Sequence, residues 1–410
     1  MDIPVSFGGV TFVPGERLVA DEDGSSSVSL PDEAGRRDVG GPAMNDADTI
    51  STRKGDHVRL AAGEAGARRG QPGFDDVQLV HRALPEVDHD AIDLGIDILG
   101  RQLALPLLIS AMTGGHAVGG RINATLARAA QRHGIAMGVG SQRAALRDPS
   151  LAATYAVART EAPTALLMAN VGAAQLVEQN GSPPLGVDDL RRLAEMIRAD
   201  ALVVHLNAVQ ELVMPEGDRN ARGWTDAIGR VANGLSIPVV VKETGGGLSE
   251  EIARTLAGIG VAALDVGGRG GTSFAAIEGE RARERRDARG VALADELDSW
   301  GIPTVASIVF AARAGLPVIA TGGVRSGLDA ARAIALGARA VGVARPLLQA
   351  ALAGDAAVDA WIERFSAGLR GALFLTGSAR IGDLAQRPVV VSGETRRWLD
   401  ALSAPGPTSL

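Results

Sequence analysis

Ala201-Leu-Val-Val-His-Leu-Asn207 closes an apolar run on polar side chains, and Ala-Val-Gln210-Glu211 follows at once. A short run of branched aliphatic residues without polar alternation reads as a strand buried on both faces, as in a parallel sheet. Side chains alternate along a strand, so His205 and Asn207 share a face, with Gln210 and Glu211 on the loop just beyond. An imidazole, two amides and a carboxylate then surround one pocket. A satisfied core histidine with a capping asparagine is the other reading, and the neighbouring segments decide between them.

Those segments repeat the pattern. Apolar strand candidates recur at 105–110, 136–141, 165–170, 202–207, 238–243, 263–268, 317–322 and 340–345. Between them lie helical stretches rich in Ala, Leu and Arg, such as 122–133, 188–198, 249–259 and 326–336, bounded by Gly, Ser or Asp. Eight strands with eight crossovers predict a (β/α)8 TIM barrel. A doubly wound open sheet is the alternative, but Thr113-Gly114-Gly115 stands where its G-x-G-x-x-G turn belongs.

In such a barrel the active site lies at the carboxyl ends of the strands. Here those ends carry Ser110 with Met112 and Thr113, Ser141 with Gln142 and Arg143, Asn170, His205 with Asn207, Lys242 with Glu243, Gly268 with Arg269, Gly322 with Gly323, and Arg345. Polar groups at nearly every strand end favour a ligand pocket over isolated core residues. Gly267-Gly-Arg-Gly-Gly-Thr272, Thr321-Gly-Gly-Val-Arg325 and Ala344-Arg-Pro346 follow the last three strands. Glycines let backbone amides approach a phosphate, and the loops after strands seven and eight are the usual phosphate grip of this fold. A phosphorylated cofactor, FMN, follows from this order. Lys242 would face inward, where an ammonium stabilises charge on a reduced isoalloxazine, or would be a buried lysine paired with a carboxylate.

Composition sets the boundaries. The chain has 410 residues, 46% of them hydrophobic, and a net charge of -7, so it can bury a large core and lacks the basic balance of a nucleic-acid grip. Without cysteine it has no thiolate nucleophile, disulfide or Cys-ligated metal. No apolar run approaches the roughly 20 residues of a membrane helix, and no basic start precedes an apolar segment, so a cytoplasmic protein is expected. Residues 1–50, rich in Gly, Ser, Asp and Pro from 21 to 48, read as a flexible extension, with Met44 an alternative start; 51–390 form the barrel and 391–410 a tail. The mixed-charge run 281–289 reads as a solvated helix or mobile lid. His57, His81, His89, His116 and His133 show no metal-ligand spacing.

Arg53-Lys-Gly-Asp-His57, Ser110-Ala-Met-Thr-Gly-Gly115, Gly140-Ser-Gln-Arg143, the His205–Glu211 stretch, Met214-Pro-Glu-Gly-Asp-Arg219 with Gly223-Trp224, Val241-Lys-Glu243, Gly268-Arg-Gly-Gly-Thr272, Trp300-Gly-Ile-Pro-Thr304 and Thr321-Gly-Gly-Val-Arg325 together resemble the type 2 isopentenyl-diphosphate isomerases. The likeness runs from Arg53 to the 380s. The H-x-N-x-x-Q-E run with M-P-E-G-D-R is specific, whereas the glycine loops are common to many FMN barrels. It implies interconversion of isopentenyl and dimethylallyl diphosphate with FMN reduced by NADPH or NADH, Mg2+, and a homo-oligomer, tetramer or octamer. Such a reaction adds a proton at one carbon and removes one from another, and in this family the reduced flavin, near N5, is the acid-base group.

Carried over residue by residue, the resemblance makes Gln210 the group beside the reacting hydrocarbon and Glu211 the Mg2+ ligand. His205 and Asn207 hold the diphosphate or order the pocket, Arg53 and Lys54 reach over it from upstream, and Arg143 serves the substrate. Ala111, Met112, Thr113, Ser141, Asn170, Lys242, Thr272, Gly322, Gly323, Arg325, Ala344 and Arg345 are the expected flavin contacts. Gly55 stands where many relatives carry a second acidic residue, and the N-terminal extension is longer than usual. Two other readings stay open: an FMN-dependent oxidoreductase acting on a hydroxy acid or dihydroorotate, and a non-catalytic flavin or prenyl-diphosphate binder. No His-Gly-Gly-Arg pattern supports the first, and Gln210 with Glu211 would be idle in the second.

Overall fold

A computed structural model describes residues 5–7, 10–12, 17–20, 26–29, 46–63 and 70–403. Residues 1–45 are a unit of their own, in which strand Val5–Phe7 pairs antiparallel with Val10–Phe12 and Arg17–Ala20 with Ser26–Ser29. Met44 lies outside the described residues, as do 404–410 of the expected tail.

The second unit, from Asp46 on, is a closed barrel of eight parallel strands in chain order. These are β1 (Leu107–Ile109), β2 (Ala136–Gly138), β3 (Leu167–Gly172), β4 (Ala201–Leu206), β5 (Val239–Glu243), β6 (Ala263–Asp265), β7 (Val318–Thr321) and β8 (Ala340–Val343), the last pairing with β1. All eight expected strands are present, and the open-sheet alternative falls because β8 closes on β1. Consecutive strand residues such as Leu167, Met168 and Ala169, or Ala201, Leu202, Val203 and Val204, are all buried, so both faces of each strand are covered. That double burial is why these segments carry no polar alternation.

Parallel register fixes which side chains meet. Gly172, His205, Lys242 and Asp265 are successive partners across β3 to β6, so three ionisable groups stand side by side on β4, β5 and β6. Helix α1 (Asp46–Ala62) crosses the mouth of the barrel at the strands' carboxyl ends; the expected upstream arm is this helix. Helix α2 (Ala117–His133) buries Ile122, Leu126, Ala127 and Ala130 at three- and four-residue spacing and ends at Gly134, whose φ of 60° suits a C-terminal cap.

Two further helices shape the mouth, and a third braces a loop behind it. Gln210 and Glu211 lie on a six-residue helix, α3 (Ala208–Val213), and not on a loop. The segment after it folds back, and Arg219 donates to the carbonyls of Glu211 and Met214, satisfying groups a short helix leaves unpaired. A Cβ at Gly217 would lie 1.8 Å from the Glu211 carbonyl oxygen, so only glycine permits this return. Helix α4 (Phe274–Glu284) starts at Ser273, whose hydroxyl accepts from Ala276 N. Helix α5 (Gly393–Ser403) occupies much of the expected tail and is anchored where Thr395 N donates to Asp76 Oδ2 at 2.8 Å. Among the described residues no helix is long and apolar enough to cross a membrane.

Candidate active site

A cavity of about 540 Å³ opens at the carboxyl ends of the strands beneath α1. Every residue the resemblance gives a role lines it: Arg53 and Lys54 from α1; Ala111, Met112 and Thr113 after β1; Ser141 and Arg143 after β2; Asn170 of β3; His205 and Asn207 with Gln210 and Glu211 at β4 and α3; Lys242 of β5; Thr272, Gly322, Gly323 and Arg325, then Ala344 and Arg345 from the last three loops, whereas Gln142, Glu243 and Arg269 among the strand-end residues do not. The geometry brings them together; their roles are a separate matter.

On one side the wall is a hydrogen-bonded chain of side chains. Asn207 Nδ2 donates to Gln210 Oε1 at 3.2 Å and to Glu211 Oε1 at 2.8 Å. Gln210 Nε2 donates in turn to Glu278 Oε1 on α4 at 3.1 Å, so the Gln210 amide is held at both ends. Glu278 also accepts from His57 Nε2 at 2.8 Å and, on its other oxygen, from Arg281 Nη1 at 2.5 Å. Burial pushes the Glu278 carboxyl up, but the His57 contact, Arg281 and Gln210 outweigh it and hold it at about 2. Arg281 is only 2% exposed and reaches Glu216 at 3.2 Å as well. Arg281 is therefore part of a buried ion cluster tying α4 to α1 and α3, which corrects the solvated-helix reading at that residue alone; 283–286, 288 and 289 are exposed as that reading expects, because consecutive charges on a helix point in different directions.

His205 Nδ1 lies 2.7 Å from Asn170 Oδ1, a contact that ties the ring to β3. Burial first, then Lys242 and Lys54, lowers this imidazole to about 4, so it is neutral and contributes no positive charge to an anion. Lys54 is the cation at the centre. Its ammonium donates to Ser141 O at 2.7 Å and to the Tyr155 hydroxyl, and sits 5.1 Å from the centre of that ring. Burial and then neighbouring Arg53 lower it to about 7. Arg143 is already tied to Asp218 at 2.8 Å, and Gln175 shares that carboxylate.

The opposite side is built from backbone. Gly268, Gly271, Gly322 and Gly323 bring main chain to the cavity surface, and Gly322 has φ 115° with its Cβ position 2.4 Å from Gly268 O. The Ser110 and Thr113 hydroxyls are buried at the same cavity without a partner among the described residues. Donors left unmatched beside a glycine-lined wall and several cations suit a polar, phosphorylated ring system, so the residues fit FMN. Lys242 Nζ donates to Glu243 O at 2.6 Å and lies 3.8 Å from Asp265 Oδ1. Lys242 lines the cavity and has a buried carboxylate behind it. Glu243 turns away and accepts from the amides of Gly245, Gly246 and Gly247; burial pushes it up to about 7 despite those bonds.

No group of three or more His, Cys, Asp or Glu among the described residues could cage a metal ion. A hydrated Mg2+ on a diphosphate needs only one or two carboxylates. Glu211 lines the cavity with one oxygen bonded to Asn207 and the other to Asp218 N at 2.7 Å, which leaves lone pairs on both. Asn207 Oδ1 is buried beside it with no donor among the described residues. An acceptor pair of this kind fits a cation or its bound water.

The sequence reading passed over Glu278, Tyr155, Asp218 and Asp265 and gave His57 no part in the site. Glu278 had a signal: a lone carboxylate within Phe274-Ala-Ala-Ile-Glu-Gly279 is out of place unless something pairs with it. Tyr155 and Asp265 carried none, since only the register and the fold of α1 bring Lys54 and Lys242 to them.

Residues 49–391 match the family described as FMN-dependent dehydrogenase. The isopentenyl-diphosphate delta-isomerase of Methanoregula boonei is 48% identical over 361 residues, covering 87% of this chain and 98% of that protein. That of Xanthobacter autotrophicus is 51% identical over 340 residues, covering 82% and 96%. A mandelate oxidase variant solved with a substituted phenylacetate matches with a TM-score of 0.56 at 20% identity, over 85% of this chain and 100% of that one. At such identity the likeness concerns the fold alone.

Proposed function

The chain belongs to the FMN-dependent dehydrogenase family and, within it, to the isopentenyl-diphosphate delta-isomerases, and from that premise we propose that it interconverts isopentenyl and dimethylallyl diphosphate using reduced FMN and Mg2+. The observation that carries the reading is the doubly held Gln210 amide in a cavity shared with the Arg53 and Lys54 cations and the glycine loops. A hydroxy-acid oxidase has no use for that combination.

The reaction moves a proton onto one carbon and off another without net redox change. Reduced FMN, formed with NADPH as donor, would supply the acid-base group at ring N5 that the cysteine-free chain and the neutral His205 do not provide. Arg53 and protonated Lys54 neutralise the diphosphate from α1, and Glu211 with Asn207 Oδ1 would hold Mg2+ or its water. Gln210, fixed by Asn207 and Glu278, orients the five-carbon chain, while Val58, Met214 and Phe274 line the cavity and keep water from it. His205, neutral, accepts or donates a hydrogen bond and does not serve as a cation. Lys242, which lines the same cavity, would meet the flavin ring with its ammonium.

The test is to load the purified protein with FMN, reduce it anaerobically, add Mg2+ and isopentenyl diphosphate, and follow dimethylallyl diphosphate. Equilibration is expected. Oxidation of a hydroxy acid with no isomerisation by the reduced protein would remove the reading.

A further inference from the structure

Arg269 stands in the middle of the glycine loop 267–272, yet it turns out of the cavity that Gly268, Gly271 and Thr272 line. Its backbone is pinned: Arg269 N donates to Ile302 O at 2.9 Å, and Thr304 donates to Arg269 O through both N and Oγ1 at 3.1 Å. Its side chain is only 12% exposed. The guanidinium donates through Nη2 to Glu394 Oε1 on α5, and its Nε is buried with no partner. Glu394 is therefore the one partner found for this cation among the described residues.

Glu394 is itself placed. Trp398 Nε1 donates to it at 3.3 Å, one turn along α5. Asp76 holds the start of that helix through Thr395 N and accepts Ser392 N on its carbonyl at 2.9 Å. Just before it, strand Val389–Val391 pairs with Val77–Leu79. The segment that reads as a tail is thus wired to the back of a loop whose front forms the cavity wall.

We propose that Glu394 is a positioning residue for the cofactor: its ion pair with Arg269 fixes the 268–272 backbone in the shape that receives FMN. This rests on the FMN reading above. Without the carboxylate, a guanidinium nearly shut off from water has no counter-charge, and it reaches solvent only if the loop turns. A turned loop withdraws Gly271 and Thr272 from the cavity surface. The effect falls on cofactor affinity and not on the barrel, because the barrel strands do not depend on Arg269.

The experiment is an FMN titration of the apoprotein by quenching of flavin fluorescence, with thermal unfolding of the same apoprotein beside it. Glu394 is 43% exposed, so Glu394→Gln should raise the FMN Kd by about tenfold and not by orders of magnitude, with the apoprotein unfolding midpoint unchanged. The exchanged pair, Arg269→Glu with Glu394→Arg, should return the Kd to within about threefold of the parent. A Kd for Glu394→Gln within twofold of the parent overturns the proposal. So does equal weakening in the exchanged pair, which would assign the effect to helix packing, and so does a Glu394→Gln protein that fails to fold. A parent protein that binds no FMN would instead defeat the cofactor reading itself.

Discussion

The two sides of the barrel mouth are built from different material. Around β4, α3, α4 and α1 the wall is side chain, an interlocked set running from Asn207 through Gln210 and Glu278 to His57 and Arg281. Around the loops after β6, β7 and β8 it is largely backbone, brought to the surface by glycines. Side chains give directional, individually replaceable groups that suit a small reacting molecule. Backbone gives a continuous surface of amides whose shape matters more than any one residue, which suits a large cofactor held throughout the reaction.

This difference predicts that the sides fail differently when altered. Gln210→Ala should lower kcat about 10³-fold, in the range of losing a group that acts on the transition state, while the FMN Kd stays unchanged. Flavin loss in that variant, measured by absorbance of the purified protein, would erase the distinction. Gly322→Val should do the reverse. Its φ of 115° and a Cβ 2.4 Å from Gly268 O leave no room for a side chain, so FMN affinity should fall about 100-fold or more in a fluorescence titration. Normal FMN binding in that protein would mean the glycine wall does not receive the cofactor.

Sequence made the two sides unequally legible. The glycine loops and the eight strands are local patterns, and both stand where expected. His205, Asn207, Gln210 and Glu211 are also close in sequence, so their gathering was readable, although α3 in place of a loop was not: a six-residue helix has too little periodicity to show. Glu278 and Asp265 belong to the site only through long-range packing. Glu278 meets Gln210 across 68 positions and His57 across 221. Of the charged residues in 281–289 only Arg281 is buried, and charge density in a segment does not say which member faces inward.

Glu278 sharpens the comparison, because it acts through Gln210 and is expected to touch no substrate. Glu278→Gln should lower kcat by about 30-fold with KM for the diphosphate and FMN affinity little changed, a positioning loss smaller than deletion of Gln210 itself. Its carboxyl is held at about 2, so the parent's kcat should show no titration of this group above pH 4. A double variant, Gln210→Ala with Glu278→Gln, should be no slower than Gln210→Ala alone. Additive losses would mean that Glu278 acts independently of Gln210.

The mildest effect tests whether the side-chain wall owes its charge to protonation, which the backbone wall does not. Lys54 is lowered to about 7 by burial and by Arg53, so near neutral pH its ammonium is only partly formed in the ligand-free protein. A diphosphate needs that charge, and binding above pH 7 must therefore draw a proton onto Lys54. The expected result is a kcat/KM that is flat below about pH 7 and falls by up to tenfold per unit above it. Stability should move the other way. The unfolded chain holds the Lys54 proton up to its ordinary value of 10.5 and the folded chain only to about 7, so stability rises with pH between those values. Glu243, also near 7, titrates in the same window, but it is turned from the cavity and braces its own loop. Lys54→Arg separates the two: a guanidinium keeps its charge, so the fall in kcat/KM above pH 7 should vanish, at a lower plateau because the fit to Ser141 O and Tyr155 is lost. Persistence of the fall in Lys54→Arg would transfer it to Glu243 and leave the charge on the side-chain wall independent of pH.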